Sequence, residues 1–154
     1  MPSDLWSFTL DLYARPGVEQ ACLRLQANGA NVCAVLCGAW LIHRGVPCNV
    51  QRIQEIGQLT RPWDDAVVNP LRQLRTQWRD AAQQDPSLAL LREQVKALEL
   101  AAERELISRL ETLCQDWPAG KADDQQDWLA GLAGEAANLN RDALQLLRVA
   151  MNRP

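Results

Sequence analysis

Apolar side chains recur along this chain at three- and four-residue steps, and alternation of apolar with polar residues never persists. The pattern predicts an all-α protein of one domain, residues 1–154. A compact helical half, residues 1–59, would be joined to long helices over 60–154 that form an antiparallel C-terminal hairpin. In the first helix Ser3 can serve as cap, and Asp4, Ser7 and Asp11 make one thin polar stripe among Leu5, Trp6, Phe8, Leu10, Leu12 and Tyr13. So narrow a stripe implies neighbours on two sides. Pro16 suits the first position of a second helix, whose apolar face is Val18, Ala21, Cys22 and Leu25. Asn28-Gly29 should stop it. Asn31 caps a third helix, apolar nearly all round as far as Arg44-Gly45, which should be the buried centre of this half. A short helix after Asn49 would turn Val50, Ile53 and Ile56 inward.

Thr60 is expected to open a fifth helix with Pro62, Asp64 and Asp65 in its first turn. Its seam reads Trp63, Val67, Leu71, Leu74, Trp78 and Ala81, and Pro70 inside it must kink or divide the helix. Asp85-Pro86 starts the longest segment, roughly 86–116, along which Leu88, Leu91, Val95, Leu98 and Ala102 step by three and four. "DWPAGKADD", residues 116–124, is the clearest interruption. Beyond it Leu129, Leu132, Ala136, Leu139, Ala143, Leu146 and Ala150 resume the period. Two antiparallel helices of about 30 residues, each about 45 Å long, fit this pattern. Gly131 and Gly134 would each cost about 1 kcal/mol within such a helix, so a break near 131–138 is the alternative.

With 154 residues and 47% hydrophobic content the chain can bury a real core. Its net charge is −3, with a pI of about 5.2, so it has no general attraction to nucleic acid or anionic lipid. Residues 1–43 carry 2 positive and 3 negative charges, residues 44–83 carry 6 and 4, and residues 84–154 carry 8 and 12. Any basic surface is therefore local and central. The N-terminus lacks the early Lys or Arg of a secretory signal. The longest apolar run, Val32–Ile42, would rise only about 16 Å as a helix, against a bilayer core of about 30 Å. No membrane span is expected. Five cysteines, an odd number without a framework spacing, point to the reducing cytoplasm.

Within "NVCAVLCGAW", residues 31–40, Cys33 and Cys37 would have Cβ atoms about 5–6 Å apart on a helix, too far for a disulfide at about 3.5–4.5 Å. A zinc site would need two more ligands from Cys22, Cys48 and His43, and none forms a short ligand pair. Core packing is the expectation, with no metal and no cofactor. "DDQQD", residues 123–127, has the spacing by which prenyl-transferring enzymes hold magnesium and a diphosphate. No second acidic cluster accompanies it, and acids at a helix start before Trp128 explain it.

Arg72, Arg75 and Arg79 share one predicted helix face beside Leu71, Leu74 and Trp78. Arginine with tryptophan marks binding hot spots, and arginine clusters take phosphates. A solvated face is the plainer account, then an acidic protein partner, then nucleic acid. Most of the six tryptophans fall on apolar seams, and Trp117, in the connector before Pro118, is the one expected to be partly exposed. The single histidine, His43, ends a buried helix, and no nucleotide-binding, nucleophile-elbow or zinc-protease motif is present. No catalytic residue is assigned.

The stretch "LWSFTLDLYARPGVEQACLRLQANGANVCAVLCGAWLIHRG", residues 5–45, resembles the signature of an uncharacterised family of small helical proteobacterial proteins. Leu5-Trp6, Phe8, Leu10, Tyr13, Gly17-Val18, Cys22-Leu23, Leu25-Gln26, Gly29, Trp40-Leu41 and Gly45 carry the likeness. It implies a domain of unknown function, so no activity comes with it. Asn31 and Cys33 stand where relatives commonly have an aspartate and an asparagine.

Trp6, Asp11, Tyr13 and Gln26 are more polar than packing requires, which suggests a small pocket among the first three helices where Asp11 or Gln26 orients a ligand. The functional expectation is a non-enzymatic adaptor or regulatory module that binds another protein or itself. A small-ligand or magnesium-dependent enzyme using 123–127 is the first alternative. A nucleic-acid accessory protein using the arginine face is the second and less favoured.

Overall fold

The structure, a computed structural model, describes residues 4–121 and 127–152. Among these residues all regular secondary structure is helical, as the periodicity predicts. Helix α1 (Leu5–Tyr13) is capped by Asp4, whose carboxylate accepts the Ser7 N–H at 2.9 Å. The expected cap Ser3 lies outside the described residues. Helix α2 (Val18–Ala27) starts two residues beyond Pro16. Gly17 takes a left-handed conformation, φ 81°, which a helix interior does not admit, so Pro16 stays in the turn. Helix α3 (Val32–His43) begins where expected, with Asn31 Oδ1 accepting the Ala34 N–H at 3.0 Å. It is buried without interruption from Cys33 to Leu41.

The stretch after α3 differs from the expectation. Helix α4 (Val50–Trp63), capped by Asn49, runs straight through Thr60 and Pro62. Thr60 is buried and donates its hydroxyl to the Gly57 carbonyl at 3.3 Å, so it is an interior residue and not a cap. Val50, expected inside, is 56% exposed, whereas Ile56 is fully buried. A π-helical turn, Asp64–Val68, follows, and the Asn69 N–H reaches back five residues to the Asp64 carbonyl. This widened turn sits just ahead of Pro70, whose missing N–H interrupts the ordinary ladder. Helix α5 (Asn69–Gln77), a turn at Trp78 and the short α6 (Arg79–Ala82) complete the arm.

Asp85 then caps the 29-residue α7 (Pro86–Cys114) by accepting the Ser87 and Leu88 N–H groups. The antiparallel mate of this long helix is the 50–82 arm, against which it packs along its length. The stretch expected as that mate divides instead, within 131–140, into α8 (Trp128–Ala133), α9 (Glu135–Leu139) and α10 (Arg141–Met151). Gly134, at φ 61° and ψ −135°, makes the first break in a backbone region open to glycine alone. The pieces fold back on the N-terminal half, α8 against α3 and α10 against α2.

The core joins α1–α4, the C-terminal half of α7 and α8–α10. Indole N–H groups tie it across the chain, Trp128 to the Val46 carbonyl at 2.8 Å and Trp63 to that of Ala102 at 2.9 Å. Among the described residues no helix is both long and apolar enough to cross a membrane.

Candidate functional site

The predicted arginine face is largely turned inward. Arg75 Nε donates to Glu99 Oε1 at 2.5 Å, and Arg72 Nε donates to Glu99 Oε2 at 3.3 Å. Glu99, on the buried stripe of α7, is only 6% exposed. The Arg75 carbonyl in turn accepts from Arg92 Nε at 2.9 Å. The third member, Arg79, is exposed, and Trp78 is half-buried beside it. Two of the three predicted arginines thus meet one carboxylate, because a hairpin register brings α5 over the middle of α7.

Two further acids join this network. Glu103 lies one turn beyond Glu99 on α7, and the π turn carries Asp64 toward it. Burial raises the pKa of both, while Arg72 acts on each in the opposite direction. Asn31, Cys33, Asp64, Arg72 and Glu103 line one narrow crevice here. The network therefore holds three carboxylates, Asp64, Glu99 and Glu103, against two guanidiniums.

Asp64 also opens onto a cleft of about 480 Å³. Its walls are the α2–α3 corner, the second half of α4, the π turn and the α8–α9 break. Asn31, Thr60, Arg61, Asp64, Asp65 and Glu135 supply its functional side chains. The volume lies within the range of small-ligand sites, about 300–1,000 Å³. Three carboxylates and one guanidinium line it, and Asp64, whose charged form burial disfavours, Arg72 from outside the cleft lining favours, and Asp65 disfavours again, would gain from a further cation beside it.

The remaining candidates fall elsewhere. Asp11 points outward, 48% exposed, in an ion pair with Arg15 at 3.0 Å, so it does not join Gln26. Gln26 does line a smaller pocket of about 190 Å³ with Trp6 and Tyr13. All five cysteines are buried. Cys37 turns to Cys114, at 3.8 Å between sulfurs, rather than to Cys33. Burial pushes the Cys22 thiol up to about 12 and that of Cys33 higher still. His43 stacks on Phe8 at the protein surface.

Of the acidic run, Asp123 and Asp124 lie outside the described residues. Asp127 caps α8 through the Leu129 N–H and pairs with Arg148. Among the described residues no group of three or more His, Cys, Asp or Glu is placed to hold a metal ion. Trp117 is half-buried, stacked on Trp128 with Arg52 over its ring.

Sequence reasoning missed Asp64, Asp65, Glu99, Glu103 and Glu135 as site residues. Asp64 and Asp65 read as ordinary first-turn acids because Thr60 looked like a helix start. Glu99 and Glu103 fall between the apolar positions that define the long helix and drew no assignment. Their one signal was spacing: four apart on the same face, opposite three arginines that themselves step by three and four.

The family model described as "Protein of unknown function (DUF2390)" matches residues 4–110. No curated protein and no solved structure matches the chain. The chain belongs to that family. The match contains the whole charged network and the cleft wall from Asn31 to Asp65, whereas Glu135 lies beyond it.

Proposed function

We propose that this family member is a non-enzymatic binding module whose cleft receives a cationic group, an arginine or lysine side chain presented by another protein. The observation that carries the reading is the cleft's imbalance of three carboxylates over one guanidinium, with Asp64 partly desolvated. A guanidinium entering there would offset the burial of Asp64 and hydrogen-bond to Asp65 or Glu135, a charge-assisted contact stronger than a neutral one. The inward engagement of Arg72 and Arg75 tells against a phosphate-binding face, and so against the nucleic-acid alternative. Buried, protonated thiols and an outward histidine favour recognition over covalent chemistry. The odd number of cysteines, without a framework spacing, also suits a reducing compartment.

Calorimetric titration with a short arginine- and lysine-containing peptide tests this reading. Asp64→Asn with Asp65→Asn should weaken binding at least about tenfold, the equivalent of about 1.4 kcal/mol. Glu19→Gln with Glu93→Gln removes the same charge from exposed positions outside the cleft and should change little. Equal weakening by both pairs would reduce the interaction to net charge and end the proposal.

A further inference from the structure

A second pocket lies where α1 and α3 meet the middle of α7, and a carboxylate borders it. Its volume is about 190 Å³, and Trp6, Leu10, Leu36, Leu100 and Ile107 make its apolar walls. Glu103 lines it from α7, with Tyr13 from α1 and Gln26 from α2. Both guanidiniums of the charged network give their contacts to Glu99, so Glu103 has no ion pair among the described residues. Among those residues the only unpartnered side-chain oxygen or nitrogen sealed from solvent belongs to Thr9. The Glu103 carboxylate, the Tyr13 hydroxyl and the Gln26 amide, also without hydrogen-bond partners there, therefore keep surface that a ligand can touch. Burial, and then nearby charges that include Glu103, push the Tyr13 hydroxyl up to about 12, which sets that carboxylate within electrostatic reach of the Tyr13 wall. The crevice that Glu103 also borders holds only about 10 Å³, no more than one water. The pocket is thus the side from which a larger group can meet Glu103.

We propose that this pocket binds a small amine carrying one aromatic ring, its ammonium against the Glu103 carboxylate and its ring between the apolar walls. Charge sets the head group. Burial raises the pKa of Glu103, Glu99 adds to the rise, and Arg72 and Arg75 reverse it only in part. A cation beside Glu103 favours its charged form, and the hydrogen bond between two charged groups is stronger than a neutral one. An ammonium has three N–H donors, and the Tyr13 hydroxyl and the Gln26 carbonyl oxygen can accept those that Glu103 leaves. Size sets the body. Cavities of about 150 Å³ walled by Leu, Ile and Phe take up benzene, so about 190 Å³ admits one ring with a short chain. Trp6 and Tyr13 favour an aromatic body, because rings pair through edges and offset faces. At the rim, Leu10 and Leu100 are 52% and 59% exposed, which leaves an apolar entrance. Arg104 lies over the Trp6 ring from an exposed position, where solvent screens its charge. The inference does not depend on the cleft, since the two cavities share no lining residue.

Titration of the full chain with phenethylamine, phenethyl alcohol, phenylacetate and ethylamine tests the proposal. Wild-type protein should bind phenethylamine saturably at one site, phenethyl alcohol and ethylamine each at least about tenfold more weakly, and phenylacetate least. Glu103→Gln keeps the size and removes the charge. It should weaken phenethylamine about 10- to 100-fold, roughly the span of one hydrogen bond to a charged group, while phenethyl alcohol changes by about twofold or less. The free Glu103→Gln protein should melt no lower than wild type, because a charge disfavoured by burial has been removed. Leu100→Trp, at the exposed rim, should weaken both ring ligands while leaving the protein folded by circular dichroism. Asp65→Asn with Glu135→Gln strips two carboxylates from the cleft and none from this pocket, so phenethylamine should bind it as it binds wild type. Alcohol as tight as amine, indifference of the amine to Glu103→Gln or to folded Leu100→Trp, equal weakening by the cleft pair, or no saturable binding at all would overturn the assignment.

Discussion

Glu103 shows how one side chain can be costly to the fold and still be kept in place by its neighbours. Burial raises its pKa, a neighbouring Glu99 adds to the rise, and Arg72 and Arg75 only partly reverse it. The unfolded chain would release this proton near about pH 4.3. Between that value and the higher folded one, the native protein holds the proton more tightly than the unfolded chain. Stability therefore falls as pH rises through the window, and the full penalty is present above it. Glu103→Gln keeps the size and removes the charge, so it should melt higher than wild type at neutral pH. The gap should close as the pH approaches about 4. Urea midpoints for the pair across pH 3.5–8 check this, and a gap independent of pH would show that ionisation of Glu103 is not what is penalised. Asp64 shifts in the same direction and is present in both proteins, so its own burial cancels and the difference reports Glu103 together with its repulsion from Asp64.

Among the helices, what could be read from the letters was whatever short-range chemistry decides. Asn31, Asn49 and Asp85 cap α3, α4 and α7 because a side-chain oxygen two or three residues ahead of an orphan N–H needs no tertiary information. The continuity of α4 through Thr60 was not legible. Thr60 followed by Pro62 imitates a helix start, and only burial of the Thr60 hydroxyl against its own helix shows otherwise. Nor was the π turn, since periodicity assumes the regular ladder that Pro70 disturbs.

The two glycines near 131–134 signalled a break without fixing it, and their reasons differ. A Cβ at Gly131 would overlap Ile53 of α4, whereas nothing lies within 4 Å of one at Gly134. Gly134 is needed for its backbone alone. Gly134→Ala should thus cost about 1–3 kcal/mol through strain, or roughly 2–12 °C in the melting temperature. An unchanged melt would mean that the α8–α9 break tolerates an ordinary residue. The cleft stayed hidden for a related reason: its walls are assembled from the α2–α3 corner, α4 and the α8–α9 break, segments far apart in sequence.

Taken whole, the molecule divides its burial unevenly between a packed head and a two-helix arm. The large apolar cluster includes Leu106, Ile107, Leu110 and Cys114 of α7 but not Val68, Val95 or Ala102, which are buried in the arm. Toward the arm's tip the leucines turn outward, with Leu90 70% and Leu98 57% exposed. Little apolar burial is left to hold α5 and α6 on the N-terminal half of α7. The Glu99 ion pairs with Arg72 and Arg75 lie at that weak seam. Both guanidinium side chains keep about a fifth of their exposure, at 22% and 21%, so part of the interaction is screened.

Removing a partner from a buried pair costs about 3–5 kcal/mol, and this partial screening brings the expectation for Glu99→Gln to roughly 2–3 kcal/mol. Local stability need not be uniform, and a segment with few apolar contacts opens before the rest. Hydrogen exchange should therefore show residues 69–100 opening more readily than α3 in the wild-type protein. Glu99→Gln should reduce protection across 69–100 by roughly 30- to 150-fold, with α3 and α8 changed far less. A uniform fall over the whole chain would mean that head and arm unfold together, and that the ion pairs stabilise the molecule globally instead of clasping its arm.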